Sequence, residues 1–409
     1  MAREGLRTLV VARLRLSKES WRLFERAYAA ARVRVEGRDA AMAAVVAQHL
    51  EQNMELLGLT GVEDKLQEGV KTTIELLRNA NIKIWMLTGD KIETATCIAI
   101  STKLVARNQY IHAVANLASR AEARDTLVLL QAKPDACLVV DGTSLQFLCT
   151  HFATEFIELA TQLPVVVACR CSPTQKADIT RLIRAHTRKQ VCCIGDGGND
   201  VSMIQAAHVG VGVAGEEGLQ AVNSSDYAIG QFRFLKRLVL VHGHWSYYRN
   251  SKMINLFFYK QVIHVGTLFW FQIYCAWSTT QGMDYVYLLL YTAIWTVAPV
   301  VGIGLFDRNV SDRVLMEVPE LYAPSREGKY FGLIRFLLYM LDGLYQSVIL
   351  FFFFFYIYDT TSPRNDGLSI DLYEPSTGMV MATVLAANLY CGLDTLAWTW
   401  WIVFAVFIG

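Results

Sequence analysis

The sequence predicts two structures in succession: an α/β domain built on a parallel sheet, then an all-α bundle of membrane-spanning helices. Three observations predict this. Before about residue 250, short β-branched runs alternate with amphipathic helical segments. After it, long apolar runs follow one another. Three of the short runs end in polar clusters, where open α/β sheets place their ligands.

Arg7–Ala12 reads as a strand, followed by a charged helical stretch to about Leu56, so residues 1–56 form a first region. The β–α alternation occupies 57–235. Helices are expected over Glu68–Ala80, from near Lys91, and over Glu155–Gln162, Thr174–His186 and Val201–Ala207. Strands are expected at Ile82–Leu87, Ala136–Val140, Pro164–Cys169, Val191–Ile194 and Val209–Val213. Apolar, β-branched strands of this kind imply a sheet covered by helices on both faces. Asp141-Gly142 reads as a break after its strand. Phe232–Tyr248, rich in Arg, His and Trp, reads as a helix leading to the first span.

The apolar runs are Asn255–Trp277, Tyr285–Phe306, Phe331–Tyr358, Met379–Leu393 and a last one from Leu396. A hydrocarbon core about 30 Å thick needs about 20 helical residues. Residues 236–409 are therefore expected to hold four complete spans (about 250–277, 284–306, 331–358 and 377–393) and a truncated fifth at 396–409. Ile349–Tyr358, with five consecutive phenylalanines, has no polar face to turn to water. Six of the nine tryptophans lie in this half, several near run ends where interfacial rings belong.

A formal net charge of +1 argues against a nucleic-acid partner. The nine cysteines are an odd count with no Cys-x-x-Cys pair, which argues against a disulfide framework or a zinc site. The first residues lack the apolar core of a signal peptide, and both ends read as cuts within structured segments.

The strand-end clusters carry the chemistry. They are Thr88-Gly89-Asp90, the segment from Arg170 through Ser172-Pro173-Thr174-Gln175-Lys176, and Asp196-Gly197-Gly198-Asn199-Asp200. Together they supply a hydroxyl, an arginine, a lysine and two carboxylates. Phosphoryl transfer needs such groups: hard oxygen ligands for Mg²⁺ and cations for phosphate charge. Gly197-Gly198 lets the backbone turn tightly, so that Asp196 and Asp200 can reach one cation.

These motifs resemble the hinge and phosphorylation-domain signatures of P-type ATPases, which belong to the haloacid-dehalogenase-like phosphotransferases. Cys169–Lys176, Ile194–Ile204, Gly61–Gln67, Val241–Tyr247 and Phe257-Phe258-Tyr259-Lys260 are similar to the lipid-flippase branch, type IV. The resemblance implies an ATP-driven pump, like the aminophospholipid flippases, that moves phospholipid from the exoplasmic to the cytosolic leaflet. By it, Asp196 and Asp200 sit at Mg²⁺, Thr88 contacts the phosphoryl group and Lys176 neutralises it. Gly89, Asp90, Arg170, Asn199 and Asp200 line the ATP site, reached by Arg7 from a remnant nucleotide-binding domain at 1–56. The resemblance also implies a multi-pass protein of a eukaryotic Golgi, endosomal or plasma membrane, with a small two-span accessory subunit as a possible partner. One departure stands out. The family phosphorylates the aspartate of Asp-Lys-Thr-Gly-Thr, and no such string occurs here. Without that nucleophile no covalent phosphoenzyme forms, so the chain alone is expected to be inactive.

Lys260 lies within the first apolar run, where a charge is costly and points to function; the alternative is snorkelling to the interface. The resemblance places it, with Gln261, on the lipid path. Tyr259, Gln272 and Asp342 are weaker candidates, expected to serve packing or interhelical bonding. With the α/β domain cytosolic, Gln281–Asp284 and Asp359–Glu374 face the exoplasm. Asp307–Lys329, with its four basic residues, then faces the cytosol, in accord with the positive-inside rule. Two other readings remain. A cation-transporting P-type ATPase would need clustered carboxylates or amides in the spans, and these are sparse. A non-catalytic membrane protein retaining a nucleotide-binding fold is the other.

Overall fold

The structure, a computed structural model, describes residues 7–408 except 35, 63–65, 107, 216–217 and 360–369. Glu63-Asp64-Lys65 of the 61–67 motif, and the loop around Arg364, lie outside the described residues. The chain divides into two compact units: residues 1–74 with 83–232, and residues 75–82 with 233–409.

The first unit begins with β1 (Arg7–Arg13), α1 (Lys18–Arg32), α2 (Arg38–His49) and β2 (Glu55–Val62). β1 and β2 pair antiparallel, from Arg7 opposite Val62 to Arg13 opposite Glu55. The expected single helical stretch to Leu56 is thus two helices and the first residues of a strand. Gly37, at φ +63, separates the helices, and Glu55 joins its long-range partner, overriding local propensity.

The alternation follows: α3 (Val70–Asn79), β3 (Ile84–Leu87), α4 (Ile92–Ser101), β4 (Ile111–Val114), α5 (Arg120–Ala132), β5 (Cys137–Asp141), α6 (Gly142–His151), α7 (Ala153–Gln162), β6 (Val165–Cys169) and α8 (Pro173–Thr187). Then come β7 (Cys192–Gly195), α9 (Val201–Ala206), β8 (Val209–Val213), α10 (Gln220–Asn223) and β9 (Tyr227–Ile229). All seven strands from β3 on run parallel, in two sheets ordered β3-β6-β5-β4 and β7-β8-β9. Among the described residues, no strand pairs with the free edge of β3 or of β7.

Strands β5 and β6 are buried throughout, and their residues alternate between two cores. Leu138, Val140, Val166 and Ala168 pack with Leu127, Leu130, Leu148, Phe156 and Ile179 of α5 to α8. Cys137, Val139, Val165, Val167 and Cys169 pack with Ile74, Ala95 and Ala99 of α3 and α4. Helices therefore cover both faces, which is why these strands are apolar at every position.

The second unit is helical. A short helix α11 (Leu235–Arg237) leads through a π-helical turn at Leu238–Gly243 into α12 (His244–Tyr274), 31 residues long. After it come α13 (Tyr285–Leu290), a π-turn (Tyr291–Trp295), α14 (Val297–Phe306), α15 (Asp312–Glu317), α16 (Ala323–Arg326), α17 (Leu333–Tyr358), α18 (Tyr373–Asp394) and α19 (Trp400–Ile408). Three stretches are long and apolar enough to cross a membrane: Tyr285–Phe306, Leu333–Tyr358 and Tyr373–Asp394. Two expectations change here. The run expected to be short is a full 22-residue helix. α12, expected to span at 250–277, has the length but is not among the three; Lys260, Gln261, His264 and Gln272 punctuate its apolar stretch.

α12 packs against α17 through small residues. A Cβ on Gly266 would lie 2.4 Å from Ser347 Oγ, and one on Gly343 would meet the Tyr259 carbonyl oxygen at 3.2 Å. The break between α13 and α14 has a local cause. Pro299 has no N–H to give to the carbonyl four residues back, so the Trp295 oxygen is released and accepts instead from Asn388 Nδ2 of α18 at 3.0 Å. The ends of α12 and α14 and the turn before α19 meet at Asp307, which is fully buried. Its carboxylate accepts from Lys252 Nζ at 2.9 Å and from the Leu396 and Ala397 N–H groups at 3.0 and 2.9 Å.

Candidate functional site

The first and second clusters meet where β3 and β6 end. Pairing continues past both strands: the Thr88 N–H donates to the Ala168 carbonyl (2.8 Å), Arg170 N–H to Asp90 (3.0 Å) and Cys171 N–H to Thr88 (3.0 Å). Thr88 Oγ1 donates to the Asp90 carboxylate at 2.9 Å and accepts the Asp90 N–H at 3.2 Å. Thr88 and Asp90 are half-buried, whereas Gly89 is exposed, with open space around its Cα. Arg170 adopts φ +49, a left-handed conformation that costs a non-glycine residue about 1–2 kcal/mol and is common where function requires it.

Directly after Arg170, Ser172 caps α8. Its hydroxyl accepts the Gln175 N–H, the Gln175 carboxamide accepts the Ser172 N–H, and Pro173 takes the first helical position. Gln175 also donates to the Gly142 carbonyl at 3.1 Å, tying the helix start to the end of β5. This locks the first turn of α8 and so places Lys176. Lys176 is 8% exposed and its Nζ lies 2.8 Å from Asp200 Oδ1.

Asp200 belongs to the third cluster, the turn after β7. Gly195 is required there: a Cβ would lie 2.3 Å from that of Asp200. A Cβ on Gly198 would meet Gln220 Oε1 at 2.1 Å. Asp196 and Asn199 in the same turn are exposed. The chain thus links its three clusters in series: Thr88 and Asp90 bond to the Arg170–Cys171 backbone, and α8 carries Lys176 from there to Asp200.

Two carboxylates from one turn suit Mg²⁺, which keeps several waters and takes its remaining ligands from phosphate oxygens. Among the described residues, no set of three or more His, Cys, Asp or Glu side chains forms a metal cage. Cys169 and Cys171 flank Arg170, but burial pushes their thiols up to about 12 and about 11. Both stay protonated at neutral pH, so neither replaces the missing nucleophile. Arg7 opens β1, and its side chain lies outside the described residues.

Asp141, read from the sequence as part of a break, proves instead to cap α6. Its carboxylate accepts from the Ser144 and Asn116 N–H groups (3.0 and 3.2 Å) and from Thr143 Oγ1 (2.6 Å). An acidic residue closing a buried strand and followed three positions later by serine was the available signal.

In the second unit, Lys260 is 1% exposed and turns inward, so it does not snorkel. Its Nζ donates to Thr296 Oγ1 at 3.2 Å; Gln261 beside it is half-buried. The weaker candidates engage in packing and hydrogen bonding. Tyr259 stacks on Tyr390 with centroids 4.0 Å apart, Gln272 donates to the Thr280 carbonyl, and Asp342 accepts from Tyr390.

Comparison with known proteins agrees on both units. The family described as haloacid dehalogenase-like hydrolase matches residues 4–208. That described as phospholipid-translocating P-type ATPase C-terminal matches residues 222–409. "Phospholipid-transporting ATPase neo1" of Schizosaccharomyces pombe is 47% identical over 356 residues, 86% of this chain and 34% of its own length. "Probable phospholipid-transporting ATPase IIB" of Danio rerio is 42% identical over 409 residues, all of this chain and 35% of its own length. "Phospholipid-transporting ATPase VD" of Macaca fascicularis is 38% identical over 98% of this chain and 61% of its own length. The chain thus spans about a third of the length of the first two relatives.

Proposed function

Because the chain belongs to the phospholipid-translocating P-type ATPases, within the haloacid dehalogenase-like hydrolases, we propose that it forms part of an ATP-driven pump carrying phospholipid from the exoplasmic to the cytosolic leaflet. The observation that carries this reading is the serial linkage of the strand-end clusters, completed by the Lys176–Asp200 pair.

In this reading Asp196 and Asp200 hold Mg²⁺, which when bound neutralises charge on the phosphoryl oxygens. Thr88 donates to the phosphoryl group once its hydroxyl leaves Asp90, and Lys176 supplies a fixed positive charge. Gly89 lets the nucleotide approach the backbone closely. Arg7, Asp90, Arg170 and Asn199 line the nucleotide. The phosphorylated aspartate comes from a strand outside this sequence, for which the free edges of β3 and β7 offer pairing partners. Lys260 and Gln261 lie on the lipid path. The chain sits in a eukaryotic Golgi, endosomal or plasma membrane and works with a small accessory subunit.

The test has two arms. In the parent pump, Asp196→Asn should abolish phospholipid-stimulated ATP hydrolysis; retained activity would overturn the Mg²⁺ assignment. The 409-residue chain alone, given ATP labelled in the γ-phosphate, should take up no acid-stable label, and any labelled band would overturn its inactivity.

A further inference from the structure

We propose that Arg249 and Arg308, which lie over the same Trp245 ring, bind the phosphate of an anionic lipid headgroup and so tie the start of α12 to the segment after α14. The site needs Tyr285–Phe306 to cross a membrane, as the proposed function has it, and is separate from the lipid path at Lys260.

Trp245 is a fixed platform. It is 8% exposed, packs with Val241, Val310 and Leu315, and donates from Nε1 to the Val310 carbonyl at 2.9 Å. The guanidinium carbon of Arg249 lies 5.2 Å from the ring centroid and that of Arg308 lies 4.8 Å from it. Arg249, one turn along α12 from Trp245, is half-buried, and its Nε donates to the Asp307 carbonyl at 2.6 Å. Arg308 is exposed, and its backbone N–H donates to Asp307 Oδ1 at 3.0 Å. One ring and one aspartate thus hold two guanidiniums near each other.

Like charges held this way repel, and neither is neutralised. Among the described residues, no carboxylate forms an ion pair with Arg249 or Arg308. The nearby acids are committed: Asp307 to Lys252 and Asp312 to Arg237, each at 2.9 Å. Burial, and then the Arg308 charge, lower the proton affinity of Arg249, and Asp307 works against both. One arginine over a tryptophan is ordinary on a protein surface. Two on one ring, with their outer nitrogens uncommitted among the described residues, form a site for an anion. The planar guanidinium fork fits phosphate oxygens two at a time. Depth then identifies the source of the phosphate. The apolar stretch ends at Phe306, two residues before Arg308, and the Asp307 carbonyl holds Arg249 at the same level. The basic bias of the segment that follows puts this end on the cytosolic side, where the leaflet carries anionic lipid. A phosphate at that depth belongs to a headgroup.

The test uses the whole chain in detergent micelles, with retained lipid counted by native mass spectrometry over a titration. Dioctanoyl phosphatidic acid is the anionic probe and dioctanoyl phosphatidylcholine the neutral one. A basic residue facing anionic lipid is worth about fivefold in affinity, so the two arginines should favour phosphatidic acid at least ~10-fold. Arg308→Gln, at an exposed position that the fold tolerates, should cut that preference about fivefold. Arg308→Lys keeps the charge but loses the fork, and should also lose most of the preference. Arg313→Gln removes another exposed charge and should change nothing. Full preference in either Arg308 variant, or an equal loss in Arg313→Gln, would show that only diffuse charge acts and would overturn the site. Inorganic phosphate at the same concentration should not displace the lipid; displacement would make this a free-anion site and overturn the lipid assignment. Lys260→Met should leave the preference intact. If it abolishes the preference, the bound lipid lies on the lipid path and this site is overturned, with that path left standing. Phosphatidic acid should also raise the unfolding temperature of the parent chain more than that of Arg308→Gln. An equal rise in both would refute the tie between α12 and the segment after α14.

Discussion

Lys176, in the first turn of α8, and Asp200, at the end of the turn after β7, form an ion pair at 2.8 Å with side-chain exposures of 9% and 15%. The pair joins two separate sheets, since α8 follows the four-stranded sheet and Asp200 follows the first strand of the other. It also brings a cation to a proposed phosphate and metal site.

Removing one partner of such a pair leaves the other charge uncompensated, at a cost of about 2–4 kcal/mol. Lys176→Met should therefore destabilise the first unit by that amount. Lys176→Met with Asp200→Asn should recover more than half of it, because no buried charge is then stranded. Hydrogen exchange of β7 and α8 in Lys176→Met, Asp200→Asn and the double variant measures this cycle. Additive losses would show that the two side chains act independently.

Asp141 predicts an acid-sensitive step. Burial pushes its carboxyl up, but hydrogen bonds from Ser144, Thr143 and the Asn116 N–H outweigh this and hold it below its ordinary 3.8. A depressed folded-state value means that the stabilisation is fully present above the unfolded value. It is lost as pH falls below about 3.8 towards the folded value. Asp141→Asn should cost about 1–2 kcal/mol at pH 7. The gap between variant and parent should hold above the ordinary 3.8 and narrow as pH falls below it. Denaturant melts from neutral pH to well below 3.8 check it, and a gap that stays constant throughout would refute the assignment.

The Asp307 junction predicts an order of effects. Lys252→Met strands a fully buried carboxylate, at about 3–5 kcal/mol. Asp307→Asn should cost less, because Lys252 keeps Asp394, whose Oδ2 lies 3.7 Å away. Thermal unfolding in detergent ranks the two, and the reverse order would show that the backbone bonds of Leu396 and Ala397 dominate the junction.

Strands β5 and β6 were legible in the sequence because burial on both faces makes every residue apolar. β9, of three residues, is too short to show a period, and β4, Ile111–Val114, carries His112 and Ala113 instead of an apolar β-branched run, so both exist through their neighbours. α6 was hidden for another reason. It starts at Gly142, and Asp-Gly usually marks a turn, but here the aspartate caps a helix. β2 is not visible as a strand, and its first two residues fall in the expected helical stretch, because its partner lies about 50 residues away and only pairing with β1 makes it a strand.

The sequence by itself determined which residues could handle phosphate and which segments were apolar. Those properties are local: a glycine that permits a turn, a carboxylate four positions from another, a run without charge. Only the tertiary structure decided how these groups are used. It paired Lys176 with Asp200, fastened Arg170 to Asp90, and turned Lys260 inward to Thr296. It also left His264 Nδ1 and Asn388 Oδ1 buried without partners. Hydrogen bonding and burial depend on distances between residues far apart in the chain, and no local pattern encodes those distances.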